Sequence, residues 1–294
     1  MFGTRAVMAV ALALLAGVLP LSAAAGATPA QRSILNVPFK GVAAPGTTFD
    51  LVESVIDYGP GAKSPAVTTK TAYYLSVVGG ELTVDVDGSA DVLAAGKGVA
   101  VPTGAKLTLS NASAGQNARL FVTTLLAVGA IDPVHQPNFA GVKVFATGRR
   151  TMVNAPAVID VIQLATEYDP GFKTPNHVMN EFHLFVHLAG QNGYHYVDGG
   201  AETYGPGSQA VMYEGRPGWM ANDGPTPSAW VNTYLARPGK PLTSAVTAPA
   251  PPNTGSGVID HGRNSGWSLA GSLALALAAA AAGTLAVRGR RQAG

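Results

Sequence analysis

Hydrophobic residues between positions 30 and 240 occur in short runs that are rich in Val, Leu, Thr, Tyr and Phe. Gly, Pro, Asn or Asp interrupts these runs about every eight to twelve residues, as in the stretch that contains YYLSVV, ELTVDV and GVAVP. No part of this region shows the periodicity of an amphipathic helix of useful length. Short strands joined by tight turns at this spacing predict an all-β sandwich or barrel.

The same pattern occurs twice along the chain. The segment that begins at Val55 aligns with the segment that begins at Ala165, and each contains a YxPG turn followed by a predicted strand. Further on, GKGVAVPTGAKLTLSN aligns with GSQAVMYEGRPGWMAN, and LFVTTLLA (120–127) aligns with AWVNTYLA (229–236). An internal repeat of this length indicates two copies of one domain in tandem. We place them at residues 33–130 and 139–240.

The first 27 residues have the pattern of a secretory signal peptide. Arg5 precedes an apolar run over residues 6–19, and small residues follow at Ala23, Ala25 and Ala27. A first membrane helix is the alternative, but the run is short and Pro20 ends it. The sequence therefore predicts an exported protein.

The C-terminal end has the pattern of a membrane anchor. Residues 267–287 are uncharged and long enough to span the hydrocarbon core, and arginines in the tail at 288–294 indicate that the C-terminus lies inside. Residues 241–266 form a Pro/Gly/Ser-rich stalk. Within the stalk, PPNTG (251–255) resembles a sortase sorting signal, cleaved after Thr254, although Pro251 stands where that signal has leucine. The alternatives are sortase attachment to the cell wall and a plain membrane anchor, both outside the cell.

Composition removes several classes of function. The chain has no cysteine, which excludes disulfides, thiolate metal sites and thiol nucleophiles. Four of the 19 basic residues and none of the 17 acidic ones lie in the two terminal segments, so the remaining chain is slightly acidic. It has no basic patch with interleaved aromatic residues, and a nucleic acid is therefore not an expected partner.

The glycine and asparagine positions of both copies fit two motifs of the bicupins, members of the cupin superfamily, and the chain resembles this family over roughly 200 residues. In copy two the first motif falls on Gly171, His177, Met179, His183 and Gly190, and the second on Gly207, Tyr213, Gly215, Gly218 and Asn222. In copy one the motifs fall on Gly61, Val67, Thr69, Tyr73, Gly80, Gly96, Pro102, Gly104, Leu107 and Asn111. The resemblance implies two double-stranded β-helix (jelly-roll) barrels.

The family holds a metal with two histidines and a glutamate of the first motif and a histidine of the second. Copy one has replaced all four, by Val67, Thr69, Tyr73 and Leu107, and should be metal-free with an apolar and hydroxyl-lined interior. Copy two retains His177, has His183 at the glutamate position, and has Met179 and Gly218 at the other two. The family's own ligand set is therefore broken in both copies.

Other histidines provide an alternative ligand set in copy two. Residues two apart in a strand share a face, so His183 and His187 should both point into the barrel. Together with His177, and with His195 as a fourth candidate, they could hold one divalent metal such as Zn, Ni, Cu, Mn or Fe. The alternative is a metal-free polar pocket, in which these histidines hydrogen-bond to neighbours such as Tyr194, Tyr196, Tyr213 and Glu181.

Two functions remain open from the sequence. The first, which we prefer, is a non-catalytic surface protein that binds a small molecule or has a structural role, because both metal-ligand sets are degenerate. The second is a metal-dependent oxygenase or decarboxylase that acts through His177, His183 and His187. No phosphate loop, dinucleotide fingerprint, nucleophile elbow or HExxH motif is present. His135 and His261 are expected to be solvated residues without function.

Overall fold

The computed structural model describes residues 28–211 and 215–246. The predicted signal peptide, the sorting signal, most of the stalk, the anchor and tail, and Tyr213 lie outside these residues. Within the described part, no helix has the length and apolar character that crossing a membrane requires. The prediction of an all-β protein is confirmed there, since strands dominate and the helical structure is a single 3-10 turn.

Nineteen strands and the 3-10 turn follow one another along the described chain. The strands are β1 (Gln31–Ala43), β2 (Phe49–Tyr58), β3 (Val67–Thr68), β4 (Tyr73–Gly79), β5 (Glu81–Val86), β6 (Ser89–Ala94), β7 (Gly98–Val101), β8 (Lys106–Ser110), β9 (Ala118–Leu126), β10 (Val142–Met152), β11 (Val158–Tyr168), β12 (His177–Met179), β13 (Phe182–Ala189), β14 (Asn192–Tyr196), β15 (Ala201–Tyr204), β16 (Gln209–Ala210), β17 (Gly218–Ala221), β18 (Ser228–Ala236) and β19 (Thr243–Ala245). The 3-10 turn, Pro133–His135, lies between β9 and β10.

These strands form four antiparallel sheets that pack in pairs. In the first barrel, the sheet β10-β2-β9-β4-β7 packs against the sheet β3-β8-β5-β6 around one apolar core. In the second barrel, the sheet β1-β11-β18-β13-β16 packs against β15-β14-β17-β12-β19 around a core rich in aromatic residues. The two barrels repeat the same arrangement, as the internal repeat in the sequence predicts.

The two halves exchange their first strands. β1 precedes the first barrel in sequence but pairs with β11 of the second, with Gln31 opposite Tyr168. β10 pairs in the same way with β2 of the first barrel, with Val142 opposite Tyr58. Each exchanged strand covers a sheet edge that would otherwise expose unpaired backbone groups. The barrels are thus tied together by backbone hydrogen bonds in both directions.

The outer faces of the two large sheets pack against each other. Their apolar side chains form two clusters that include Leu51 and Val55 of β2, Val161 of β11 and Val231 of β18. Because both faces of β2 are covered, almost the whole strand is buried. The described residues belong to one compact unit.

The register of the last repeat strand differs from the sequence alignment. We aligned residues 120–127 with 229–236, which matches Thr123 with Asn232. In the structure Tyr73 lies opposite Thr124, and His183 lies opposite Tyr234, so the matching residues are 110 apart and Val122 corresponds to Asn232. The alignment was wrong by one residue. The error matters because a one-residue shift moves every side chain to the other face of the sheet.

Each motif asparagine closes the loop that precedes the last large strand of its barrel. The amide of Asn111 donates to the carbonyls of Tyr58 and Gln116 and its oxygen accepts from the Ser113 backbone. Asn222 makes the equivalent three bonds, to Tyr168, Thr226 and Gly224. Buried polar groups are stable when they are hydrogen-bonded. The repeated asparagine is therefore a structural residue.

Candidate functional site

The second barrel contains a cavity of about 380 Å³ between its two sheets. β19 contributes to its opening, because this short strand pairs with β12 and places Thr243 and Ala245 in the wall. Cavities of this size are in the range of ligand sites for small molecules. The wall consists of Gln31, Leu164, Thr166, Tyr168, Thr174, Pro175, Asn176, His177, Met179, His183, Phe185, Met220, Trp230, Asn232, Tyr234, Thr243 and Ala245.

Aromatic rings form much of this wall. The rings of His183 and Tyr234 are stacked, with centroids 4.8 Å apart and planes 20° from parallel. Trp230 and Tyr168 meet edge to face at 4.4 Å. These side chains come from the alternating inward positions of β11, β13 and β18. The cavity is consequently bounded by flat, polarisable surfaces.

The structure brings His177 and His183 to this cavity but not the other two candidate histidines. His187 shares the inward face of β13, as expected, but four residues along the strand put it about 13 Å from His183. Its ring centroid lies 6.4 Å from that of Trp230, with the ring planes 21° from parallel. His187 is not part of the cavity wall. His195 is on the outer face of the barrel, where it pairs with Asp223 and stacks on Trp219.

The expected convergence of the three rings at one point is not found. Among residues 28–211 and 215–246, no three His, Asp or Glu side chains are grouped closely enough to hold a metal ion. Metal binding by His177, His183 and His187 stays an untested prediction.

Gly218 lies opposite His177 in the β12–β17 pairing, at the position where the resemblance to the bicupins leads us to expect a histidine ligand. A Cβ atom on this residue would come within 2.6 Å of the Tyr194 ring. The Tyr194 ring thus occupies the space that a ligand side chain would need.

Burial keeps the inward histidines neutral. Burial lowers the pKa of His183 to about 4, and nearby His177 lowers it further, while the backbone of Glu181 acts in the opposite direction. Burial also lowers the pKa of His187 to about 4. A histidine that titrates at this value is deprotonated and uncharged near pH 7. The ring of His177 is held by a 2.8 Å contact between Nδ1 and the Pro175 carbonyl, so Nδ1 is the protonated nitrogen.

Among the described residues, four buried polar atoms in this barrel lack a hydrogen-bond partner. They are Nδ1 of His183, Nδ1 of His187, Oδ1 of Asn232 and the hydroxyl of Tyr194. Asn232 was not identified as a site residue, because the alignment placed it opposite Thr123. With the correct register it faces the cavity, and its counterpart Val122 is a core residue of the first barrel. Glu181, a proposed pocket neighbour, instead pairs with Arg237 at 2.9 Å.

The segment that follows β9 lies over the first barrel, where it lines a pocket of about 290 Å³ together with Tyr58, Val67 and Leu107. Tyr73 and Leu107 are buried in its core, Val67 packs against them, and Val134 covers the core from the connecting segment. The Tyr73 hydroxyl donates to Asp132 at 2.7 Å. The interior has the apolar and hydroxyl side chains expected from the sequence.

The expectation for His135 was wrong. Its ring is buried between the hydroxyls of Ser54, 2.8 Å from Nδ1, and Thr124, 2.7 Å from Nε2. Burial lowers its pKa to about 3, and the charge of Arg149 lowers it further. The sequence could not reveal this because burial of the ring also needs Ser54 of β2, which is 81 residues away along the chain. His135 is a neutral structural residue that fastens the connecting segment to the first barrel.

Comparison with known proteins gives no family assignment. No protein-family model matches the chain, and no curated protein matches it either. Solved structures with a similar fold include a mutant of oxalate decarboxylase OxdC from Bacillus subtilis, with a TM-score of 0.47, 12% identity, and coverage of 72% of this chain and 80% of that one. AerE from Microcystis aeruginosa has a TM-score of 0.45, 10% identity, and coverage of 70% and 99%. A protein described as glyoxylate-induced, from Pseudomonas aeruginosa, has a TM-score of 0.41, 16% identity, and coverage of 71% and 84%.

Proposed function

We propose that this chain is an exported, surface-anchored bicupin whose second barrel binds a small molecule without transforming it. The observation that supports this proposal is the cavity of about 380 Å³ in the second barrel. Its wall combines aromatic rings with buried polar groups that lack partners, as ligand sites commonly do. The corresponding pocket of the first barrel, about 290 Å³, is lined mainly by apolar side chains and by its own connecting segment, so we assign the ligand to the second barrel.

The residues of the second barrel do not fit the metal that the cupin resemblance implies. Of the candidate histidines, only His177 and His183 reach the cavity, beside Met179, and the Tyr194 ring fills the place next to Gly218. Two imidazoles and a thioether do not make the three-ligand set of a catalytic zinc or iron site. We therefore prefer a binding role to the metal-dependent oxygenase or decarboxylase.

The cavity can be blocked from its rim to test the proposal. Ala245 is exposed on β19 and belongs to the wall, so Ala245→Trp should fill the opening without disturbing the core. Thermal-shift screening of the full-length chain against a library of small polar aromatic and sugar-like compounds should find ligands that raise the Tm. We expect the variant to bind these compounds with an apparent affinity that is at least about tenfold lower.

A matched control places the same side chain on the first barrel. Val92 is an exposed residue of β6, and Val92→Trp should leave every shift unchanged. The proposal would be contradicted if no compound raised the Tm of the unmodified chain. It would equally be contradicted if Ala245→Trp bound the same compounds as tightly.

Export and anchoring form the second part of the proposal, supported by the sequence of the two chain ends. The mature chain should begin near residue 28. If sortase processes PPNTG, the C-terminal peptide should end at Thr254; if the chain keeps a plain membrane anchor, it should extend to Gly294. Mass spectrometry of both terminal peptides from the native host distinguishes these outcomes. Recovery of an intact N-terminus in the cytoplasm would contradict export.

A further inference from the structure

We propose that residues 241–246, which contain β19, form a strap that leaves the second barrel reversibly, and that its docking on β12 controls access to the cavity. This inference rests on the proposed binding function and adds how the same site is opened and closed. Three features support it: the place of β19 in the cavity wall, the weak attachment of the strap, and the firm attachment of the equivalent segment in the first barrel.

β19 is the last strand of its sheet and forms one side of the cavity. Thr243 and Ala245 line the cavity, and so do the two residues of β12 that lie opposite them. Val178 and Ser244 form the pair between these two and point to the other face, because successive residues of a strand alternate in direction. With the strap docked, Trp230 in the wall is only 5% exposed. Release of the strap would remove one wall and open the cavity along β12.

The strap is held mainly at an exposed sheet edge, and the three residues of β19 are all exposed. Beyond β19, the ladder adds an N–H donation from Asn180 to the Leu242 carbonyl at 2.9 Å and one from Val246 at 3.1 Å. The side-chain amide of Asn180 also donates to the Ser244 hydroxyl at 2.7 Å, and the partly buried Leu242 packs against the core. An element with few buried apolar contacts and solvent-exposed hydrogen bonds opens locally at a low cost in free energy.

The equivalent segment of the first barrel is attached by buried side chains. It follows β9 and lies over the first-barrel pocket, as the strap follows β18 and lies beside the second cavity. Asp132 is buried and accepts from the Tyr73 hydroxyl at 2.7 Å, and the His135 ring is buried between two hydroxyls. Opening this segment would leave the buried Tyr73 hydroxyl without a partner, which is unfavourable. Residues 241–246, all of which the structure describes, make no buried side-chain hydrogen bond, so their release has no comparable cost.

The strap lies within residues 241–266, which the sequence assigns to the stalk. A pull along the predicted stalk would therefore reach β19 before any other strand of the barrel. This connection gives the strap a source of displacement in the anchored protein.

A reversible cross-link tests the strap, since the chain has no cysteine of its own. Val178→Cys together with Ser244→Cys joins β12 to β19 on the side away from the cavity, across a Cα–Cα distance of about 5.5 Å that a disulfide spans. Access to the cavity is read from the quenching of Trp230 fluorescence by acrylamide, a small uncharged molecule. Trp219→Phe and Trp267→Phe remove the other two tryptophans from the full-length chain.

Oxidation of the cross-link should keep acrylamide away from Trp230. The bimolecular quenching constant, taken from fluorescence lifetimes, should be at least about threefold lower than after reduction, because local opening is blocked. Leu242→Ser removes the apolar contact of the strap and should raise the constant at least about twofold.

A second cross-link in the first barrel is the control. Thr83→Cys with Val92→Cys joins β5 to β6, where these residues lie opposite each other. Oxidation of this pair should leave the quenching constant of Trp230 unchanged. Equal constants in the oxidised and reduced strap variant would overturn the proposal, and so would an oxidation effect of the same size in the control.

Acrylamide access does not depend on a ligand, so failure of the strap and failure of the binding function are distinguishable. If compounds raise the Tm and Ala245→Trp weakens their binding, but the cross-link changes nothing, the binding function stands and the strap falls. If the cross-link controls quenching but no compound raises the Tm, the strap stands as a moving element and the binding function falls.

Discussion

Replacing Glu53 with Gln is expected to raise the free energy of unfolding at pH 7 to 8 by about 1 to 3 kcal/mol. Glu53 lies on β2 where the two large sheets pack together, and its side chain is fully buried. The hydroxyl and backbone N–H of Thr233 approach its carboxyl oxygens, but no described residue gives either oxygen a hydrogen bond of good geometry. An unpaired buried polar group is unfavourable by about this amount. For a domain of this size, each kcal/mol corresponds to roughly 2 to 4 °C in Tm.

The other half of the molecule shows how a glutamine fits at this position. Gln163 of β11 is the repeat counterpart of Glu53, 110 residues later. Its amide donates to the Tyr74 carbonyl and the Thr123 hydroxyl, and its oxygen accepts from Ser76. Thr123 in turn contacts its own counterpart, Thr233, at 2.8 Å. A glutamine at position 53 would find the equivalent hydroxyl, that of Thr233.

The stabilisation by Glu53→Gln should be larger at high pH than at low pH. Burial raises the pKa of Glu53 well above its usual range, and the hydroxyl and backbone of Thr233 only partly counteract it. The contribution of Glu53 to stability is therefore fully present below the pKa of the unfolded chain and is lost as pH rises through the folded pKa. Glu53→Gln should abolish this loss. The difference in unfolding free energy between the variant and the unmodified chain should therefore shrink toward pH 4.

The reciprocal substitution provides the control. Gln163→Glu places a second buried carboxyl in the interface and should destabilise the chain more at pH 8 than at pH 5. Urea unfolding of both variants at several pH values measures the effect. An equal change in stability at all pH values would show that Glu53 does not titrate between the two states, and the argument from burial would fail.

A steep loss of stability in acid is expected from three buried histidines. Burial lowers the pKa of His135 to about 3, and the pKa values of His183 and His187 to about 4. A histidine with a lowered pKa contributes stability that is present above the unfolded pKa, near 6.5, and is lost as pH falls through the folded pKa. Each proton contributes about 1.4 kcal/mol per pH unit, so the three together contribute about 4 kcal/mol per unit between roughly pH 6 and 4. Glu53 has the opposite pH dependence, and it cancels the contribution of about one of these histidines to the slope.

His135→Gln tests this assignment, because it removes one titrating group. The slope of unfolding free energy against pH should fall by about 1.4 kcal/mol per unit relative to the unmodified chain. Thr124→Val removes a hydrogen bond to the His135 ring without removing a titrating group. This control should lower stability at every pH and keep the slope. An unchanged slope in His135→Gln would mean that His135 is protonated in the folded chain or does not become exposed on unfolding.

The sequence predicted the class of fold because strand and turn patterns are local. Alternating and short apolar runs identified the strands of both repeats, and the inward orientation of His183 and His187 followed from the two-residue period of a strand. The recurrence of glycines and of Asn111 and Asn222 identified the repeat, because a loop geometry that needs such a residue in one copy needs it in the other. Each of these inferences uses residues that are near one another in the chain.

The site required the tertiary structure because its members meet across sheets. His187 and His183 share a face but not a cavity, which depends on the length of β13 and the closure by β19. The importance of Asn232 depends on a register that a one-residue alignment error concealed.

By itself, the sequence determined an all-β chain with two repeated halves, since local backbone preferences and periodic side-chain burial encode that much. Only the tertiary structure decided that the halves exchange β1 and β10, that Glu53 and Gln163 are both fully buried, and that His135 is buried. The physical reason is that burial and hydrogen-bond partners are properties of contacts between distant segments. A pattern within one segment does not contain them.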